Sequence, residues 1–435
     1  MRPTTVTMGA AALAAALTAP AALAQASSAS APAAAQAAAP ATKEAPKTPP
    51  PATSIAEAFT LGKFAASARL RFENVQDDAI AKEANATTLR LRLSYETRPF
   101  HGVGVLVEGD RLQPLGGDAY NSTRNHHTNR PQVPDPQGTD LNQALLRWKG
   151  AKDEVILGRQ RINLDNQRFI GGVGWRQNEQ TFDAVTLRTM RVPHLTFAYT
   201  YIADVNRVFG PDAGTPPAHL ASNTHLANAQ FDLGQAGKLT AFAYLLDFRR
   251  AAALSNATYG VLWTGSRPLS GGWKLPWSLS YATQSDHGAN TTHYDAQYWQ
   301  AEVGAGHGPW TAKVGYEVLS GDATRPGHMF QTPLATLHPY QGWADKFLTT
   351  PAAGVKDLYV SFDTTILSPR TTAQVAWHDF RAEAISRTYG TELDASISQK
   401  FGKRYEVLLK AAKYDADRLF ANTTKWWLQV NASIL

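Results

Sequence analysis

From Phe59 to the end of the chain, apolar and polar residues alternate with a period of two. Leu89, Leu91, Leu93 and Tyr95 interleave with Arg90, Arg92, Ser94 and Glu96. Trp310, Ala312, Val314, Tyr316 and Val318 interleave with Thr311, Lys313, Gly315 and Glu317. Successive side chains of a strand point to opposite faces, so each run makes a ribbon with one apolar and one polar face. Helical spacing is nearly absent. The runs are roughly ten residues long, the length at which a tilted strand crosses a bilayer. They fall at 59–72, 87–97, 102–112, 140–149, 153–162, 181–190, 194–205, 223–234, 237–249, 256–266, 275–285, 295–305, 308–320, 355–367, 370–381, 388–401, 403–415 and 424–434.

The links between runs alternate in length. Short ones such as Arg98-Pro99-Phe100-His101, Gly150-Ala151-Lys152, Ser368-Pro369 and Gly402-Lys403 separate long ones at 113–139, 163–180, 206–222 and 321–354. Short turns on one side, long loops on the other and an even strand count describe a closed antiparallel transmembrane β-barrel of about 18 strands. A sandwich or β-helix would also bury alternating faces. Strand length, a Trp- and Tyr-rich apolar face and the loop alternation select the barrel. Aromatic residues near strand ends, among them Tyr95, Trp148, Trp273, Trp299, Trp377, Trp426 and Trp427, suit the membrane–water boundary.

Composition narrows the chemistry. The chain has 435 residues, 43% apolar and 18% charged, and no cysteine. Disulfide scaffolds, zinc–thiolate sites and cysteine catalysis are thereby excluded. Residues 1–24 have the form of a signal peptide: Arg2, an apolar stretch from Met8 to Ala22, and the cleavage sequence Ala22-Leu23-Ala24. Its removal changes the net charge from +6 to +6 − 1 = +5. No later run is apolar enough for a membrane helix. Residues 25–58 are Ala/Pro-rich and unable to bury a core, which reads as a periplasmic linker, with the barrel at 59–435.

Two blocks carry a family resemblance. One is Gly158-Arg159-Gln160-Arg161 followed by Asn163-Leu164-Asp165-Asn166-Gln167-Arg168-Phe169-Ile170-Gly171, Gly174-Trp175-Arg176-Gln177-Asn178 and Thr181-Phe182-Asp183-Ala184. The other runs from Gln331 through Pro333, Leu337, Pro339 and Trp343 to Asp345. Both resemble the alginate export family of bacterial outer-membrane β-barrels. That resemblance implies a monomeric 18-stranded barrel with an arginine-lined pore for a polyanionic sugar. Arg168, Trp175, Arg176, Asp183, Pro339 and Trp343 stand in its signature segments.

Strand parity places Arg69, Arg71, Arg90, Arg92 and Arg147 on the polar face, with Arg161 and Arg188 beside them. In 153–162, Arg159 shares parity with Val155 and Leu157. An arginine facing lipid at the midplane costs about 2–4 kcal/mol, so that strand is turned to put Arg159 inside. Glu73 and Glu96 are the local carboxylates for the first hairpin, two for four arginines, which leaves excess positive charge. A planar guanidinium grips carboxylates and stays charged, so this wall favours passage of an anion, an acidic saccharide such as alginate or a small organic acid. Export and uptake are equally permitted.

The expected setting is the outer membrane of a Gram-negative bacterium, with its lipid and barrel assembly machinery as partners and a periplasmic export partner reachable from the linker. No cofactor and no metal are expected, since His126-His127 has no third ligand at defined spacing. Catalysis is not expected either: His378-Asp379 and Asp286-His287 come without a nucleophile motif. Charges that alternate along strands argue for a lumen wall rather than nucleic-acid binding. A plugged structural or adhesin-type barrel is the second class, and a barrel hydrolase the third.

Overall fold

The computed structural model describes residues 50–366 and 370–434. The signal peptide, the linker up to residue 49 and the turn expected at Ser368-Pro369 lie outside them. Within them, the strands are β1 (Lys63–Asp77), β2 (Ala84–Glu96), β3 (Val103–Pro114), β4 (Gly138–Lys149), β5 (Asp153–Gln160), β6 (Thr181–Thr189), β7 (Leu195–Asn206), β8 (His219–Asp232), β9 (Lys238–Leu246), β10 (Asn256–Pro268), β11 (Trp273–Asp286), β12 (Asp295–His307), β13 (Trp310–Leu319), β14 (Val355–Thr365), β15 (Thr371–Arg381), β16 (Thr388–Phe401), β17 (Tyr405–Ala416) and β18 (Thr423–Ser433). Each pairs antiparallel with its sequence neighbours, and β18 pairs with β1 from Asp77↔Thr423 to Ser67↔Ser433, closing an 18-stranded barrel with no free edge.

The alternation settles which face is which. Leu91 and Leu93 are exposed while Arg90 is buried; Trp426 and Leu428 are exposed while Trp427 and Gln429 are buried. The exposed apolar set is the belt that meets lipid. Trp427, expected at the membrane boundary, points inward, because its parity is that of Lys425 and Gln429.

Two features position the site. β1 starts at Lys63 rather than 59, because the last linker residues form a helical turn, α1 (Ile55–Thr60). Ser54 Oγ accepts the Glu57 N–H at 3.1 Å, and the Glu57 carboxylate takes the Thr53 N–H at 2.6 Å. This reciprocal cap starts a helix where Ala/Pro composition promised none. The second is the path of the two long links 163–180 and 321–354, whose apolar and aromatic content already argues against idle solvent loops and for at least one folding into the pore mouth. The long links at 161–180 and 320–354 run inside the barrel, where Ile170 bridges Leu334 and the Gly171 N–H donates to the Leu334 carbonyl at 2.9 Å. Ile162, Ile170, Phe330, Leu334, Trp343 and Phe347 from these loops pack on inward strand residues such as Phe182, Phe242, Tyr244 and Phe380. At about 1.5–3 kcal/mol for each large side chain, such burial holds the loops as core rather than as solvent loops.

The start of β1 and the end of β18 lie at the short-turn end, and the long loops lie at the other. With no native cysteine, labelling of single-cysteine variants is unambiguous. A cysteine replacing exposed Asn129, in the loop between β3 and β4, will react with an impermeant maleimide on intact cells. One replacing exposed Lys403, between β16 and β17, will react only after lysis. The reverse pattern would invert the barrel.

Candidate functional site

Inward residues of β1 and β2 bring four guanidiniums together. Arg69 and Arg90 are direct cross-strand partners, with Arg71 and Arg92 one step along the same face. Like charges so placed persist only if oppositely charged or polar groups answer them. Here the answer comes from β3 and from the loop at 161–180. Arg92 grips Asp110 with two bonds, Nε to Oδ1 at 2.7 Å and Nη2 to Oδ2 at 2.6 Å, and reaches Glu179 Oε1 at 2.9 Å. Arg90 lies 3.6 Å from the same Glu179 oxygen. Arg161 binds both Glu179 and Glu108. Arg71 donates to Gln429 Oε1 at 2.9 Å and to the Trp175 carbonyl at 2.6 Å, and lies 4.1 Å over the Trp175 ring.

The excess positive charge expected of this hairpin is therefore corrected. Asp110 and Glu108 from β3, Asp135 from the loop before β4, and Glu179 join Glu73 and Glu96. Arg69 is the exception. It takes no carboxylate and instead donates to Asn431 Oδ1 at 3.2 Å and to the carbonyls of Gly174, Trp175 and Arg176 at 3.0, 3.3 and 3.3 Å. Burial works to raise the pKa of Glu179, yet Arg92, Arg161 and Arg90 hold its carboxyl well below the usual range.

The signature residues tie the inward loops together and to the wall. Arg168 donates to Glu317 Oε1 at 2.6 Å and Thr332 Oγ1 at 3.0 Å. Arg176 bridges Glu73 Oε2 and Asp345 Oδ2, both at 3.1 Å. Trp175 stacks on His338, with centroids 4.5 Å apart and planes 6° from parallel. The Trp343 N–H donates to Asp394 Oδ2 at 3.1 Å and the Ala344 N–H to Glu392 Oε1 at 2.6 Å. Pro339 sits between His338 and Tyr340, whose hydroxyl donates to the Asn166 carbonyl. Burial, then the charges of Lys410 and Arg176, push the His338 imidazole down to about 3, against the pull of Asp345. Neutral His338 then accepts from Lys410 at Nε2, 2.7 Å, while Nδ1–H donates to Asp345 at 2.8 Å.

Arg159 is the residue that parity and cost placed wrongly. It registers with Ala144 and Asp183 and shares the outward face with Leu157, 52% exposed. Gly158, at φ +114°, brings β5 against β4 so closely that a Cβ there would lie 2.3 Å from the Ala144 carbonyl. The lipid-facing charge is met by Asp183 through two bonds, 2.7 and 3.0 Å. The site is also near the strand end, where the cost of an outward arginine falls to about 0–1 kcal/mol. Arg161 does enter the barrel, because β5 ends at Gln160 and the chain turns in.

At the short-turn end, Arg147 and Arg188 face the lumen with side chains 39% and 46% exposed. Arg147 shares Glu96 at 3.6 Å and Glu154 at 3.5 Å, and Arg188 lies 3.3 Å from Glu154. Arg188 borders a cavity of about 420 Å³ beneath the inward loop, where Lys149, Lys152, Asp153 and Asp165 also stand. The dyads considered for catalysis separate. His378 turns inward to Asp357 at 3.0 Å while Asp379 faces outward to Arg381, and Asp286 pairs with His293 rather than His287. His127 Nδ1 lies 2.9 Å from the Asp118 carbonyl.

Sequence reasoning missed Glu179, Asp135 and Lys410, and gave Asp345, at the end of the second block, no partner. The polar run Gln177-Asn178-Glu179-Gln180, buried throughout, was the available signal.

The model of the family described as Alginate export matches residues 61–342. No curated protein matches the sequence. Among solved structures, Pseudomonas aeruginosa OccK9 (OpdG) is similar at TM-score 0.68 and 15% identity, over 86% of this chain and 99% of that one. Acinetobacter baumannii OccAB2 gives TM-score 0.68 and 13% identity, over 87% and 100%. P. aeruginosa OccK2 (OpdF) gives 0.67 and 17%, over 87% and 99%. At these identities the likeness is one of fold.

Removing Glu179 takes a shared carboxylate from three guanidiniums and leaves Arg90 without an ion pair among the described residues. Breaking one partner of a buried ion pair typically costs about 3–5 kcal/mol. The variant Glu179→Ala will fold its barrel but release the loop at 161–180. That is read as earlier loss of heat-resistant mobility on gels and a larger single-channel conductance than wild type. Unchanged values for both would show that the loop is held by its apolar residues alone.

Proposed function

From a chain that belongs to the alginate export family and forms an outer-membrane β-barrel of the channel type, we propose passive conduction of anionic solutes. The substrate class is an acidic polysaccharide such as alginate or a small organic acid. The observation that carries this reading is the set of exposed and half-exposed cations on the β4–β6 side of the short-turn half. Arg147 and Arg188 share Glu96 and Glu154, and Lys149 and Lys152 stand beside them, with Asp153, held by Arg191, and Asp165, hydrogen-bonded to Asn228 and Thr240, on the same cavity. Lys149 and Lys152 carry no ion pair among the described residues. Arg69, answered only by neutral acceptors, sits on the inner wall of β1. Half-exposed cations attract an anion without binding it too tightly to leave. The buried arginines of the first hairpin brace the loop that narrows the passage.

On this reading residues 1–24 are removed on export and 25–58 form a periplasmic linker from which an export partner is reachable. The barrel acts as a monomer inserted by the barrel assembly machinery. A barrel has no energy source, so flow follows the gradient. A second reading, a plugged structural barrel, is favoured by the volume that the inward loops occupy. It predicts no conductance from the pure protein in planar bilayers.

In a potassium chloride gradient the pure channel will show a reversal potential of anion-preferring sign. Arg147→Glu with Arg188→Glu will move it toward cation preference while leaving assembly intact, since both side chains are wet. A cation-preferring wild type, or an unmoved reversal potential in the assembled double variant, contradicts the anion path.

A further inference from the structure

On the outer face of β3 the apolar run Val103, Val105, Val107 gives way to Arg111. Its register partners on either side are Leu91 on β2, which is exposed to lipid, and Thr139 on β4, one residue from Leu141, also lipid-exposed. Arg111 therefore stands outside the barrel, directly above the apolar belt on the long-loop side. Its guanidinium is exposed and donates only to neutral groups, Thr139 Oγ1 at 3.0 Å and Gln113 Oε1 at 2.9 Å.

Above it a cavity of about 470 Å³ opens between the loops at 115–137 and 207–218. A second arginine, Arg124, lines it. Arg124 is fixed in place by carbonyl oxygens, those of Asp212 at 3.0 Å and Pro216 at 2.8 Å, and by Thr123. Neither Arg111 nor Arg124 has a carboxylate partner by hydrogen bond or ion pair among the described residues, unlike the lumen arginines Arg90, Arg92, Arg161, Arg168 and Arg176. Asp118 and Asp212 line the same cavity. Among the described residues the Asp212 carboxylate has no hydrogen-bonded partner, and Asp118, half-exposed beside His127, accepts only from Asn125 Nδ2 at 3.4 Å.

We propose that this cavity binds the phosphorylated sugar head group of an outer-leaflet glycolipid. Three features fit that ligand together. Guanidiniums with free N–H groups match phosphate oxygens in geometry and charge. The two carboxylates accept hydroxyl hydrogens of a sugar, which a bare phosphate lacks. The cavity begins where the apolar belt ends, so a lipid whose chains lie against Leu91, Val107 and Leu141 carries its head group to Arg111. The polar outward residues next in line, Thr139 on β4 and the Arg159–Asp183 pair on β5 and β6, extend this band at the same rim. Arg159 is thereby given a place outside the lumen.

The test is equilibrium binding of bisphosphorylated lipid A to the purified full-length barrel in detergent micelles. Dephosphorylated lipid A and inorganic phosphate serve as the other arms. Wild type will bind the phosphorylated lipid at least about tenfold more tightly than the dephosphorylated one, the loss expected for one charged hydrogen bond. Arg111→Ala, whose side chain braces no loop, will lose a similar factor while keeping the wild-type thermal transition in the absence of lipid. Arg124→Ala will lose at least as much. Inorganic phosphate at the lipid's concentration will not compete. Equal binding by Arg111→Ala, equal binding of the dephosphorylated lipid, or displacement by inorganic phosphate would each overturn the proposal.

Discussion

A guanidinium taken out of water must be answered, and in this barrel the answers come largely from outside the strand that carries it. Arg90, Arg92 and Arg161 converge on Glu179, a residue of the loop at 161–180. Arg176 of that loop converges in turn on Glu73 of the wall and Asp345 of the second inward loop. Pulling either loop from the lumen would leave several charges unpaired at low dielectric, at a cost of several kcal/mol for each ion. The loops' apolar residues supply the larger gross burial. The ion pairs fix where the loops sit, because each carboxylate has only one cluster of arginines to meet.

This arrangement divides the lumen. In the long-loop half, aromatic residues of the loops pack on the wall and, Arg69 apart, the arginines of the first hairpin and of the loops are matched. In the short-turn half, Arg147 and Arg188 share two carboxylates and remain half-exposed. Matched, buried charge gives rigidity; unmatched, wet charge gives an electrostatic preference. The same residue type thus has two roles, set by depth. The outer surface shows a third: Arg111 and Arg159 stand on the lipid side above the belt, where the bilayer turns polar.

Much of the fold was legible because period two over ten residues has one physical meaning in a chain with this turn pattern. The 18 strands fall at the expected places, with ends shifted by a few residues. The lining was less legible. Parity placed Arg69, Arg71, Arg90 and Arg92 inside, but their partners are remote in sequence: Glu179 lies 87 residues from Arg92, and no local pattern links them. Composition, through Trp175, Tyr340 and Trp343, argued against solvent loops at 163–180 and 321–354, but nothing periodic marks Ile170 or Phe330 individually as lumen filling. Arg159 shows the opposite failure. Val155 and Leu157 gave its parity, and a cost suited to the midplane overrode them. The strand ends one residue later, and Asp183 compensates the charge across the sheet. Trp427 was read as a boundary aromatic from its place near a strand end, although its parity with Lys425 and Gln429 pointed inward.

That the inward loops belong to the folded wall is open to direct measurement by hydrogen exchange on the reconstituted barrel. The N–H groups of Gly172, Gln177, Trp343 and Ala344 donate to Asn163, Asp135, Asp394 and Glu392. They will exchange on the slow timescale of the strand amides around them. Exchange of these four within the first seconds, alongside protected strands, would mean that the loops leave the lumen freely, and would contradict this account of the passage.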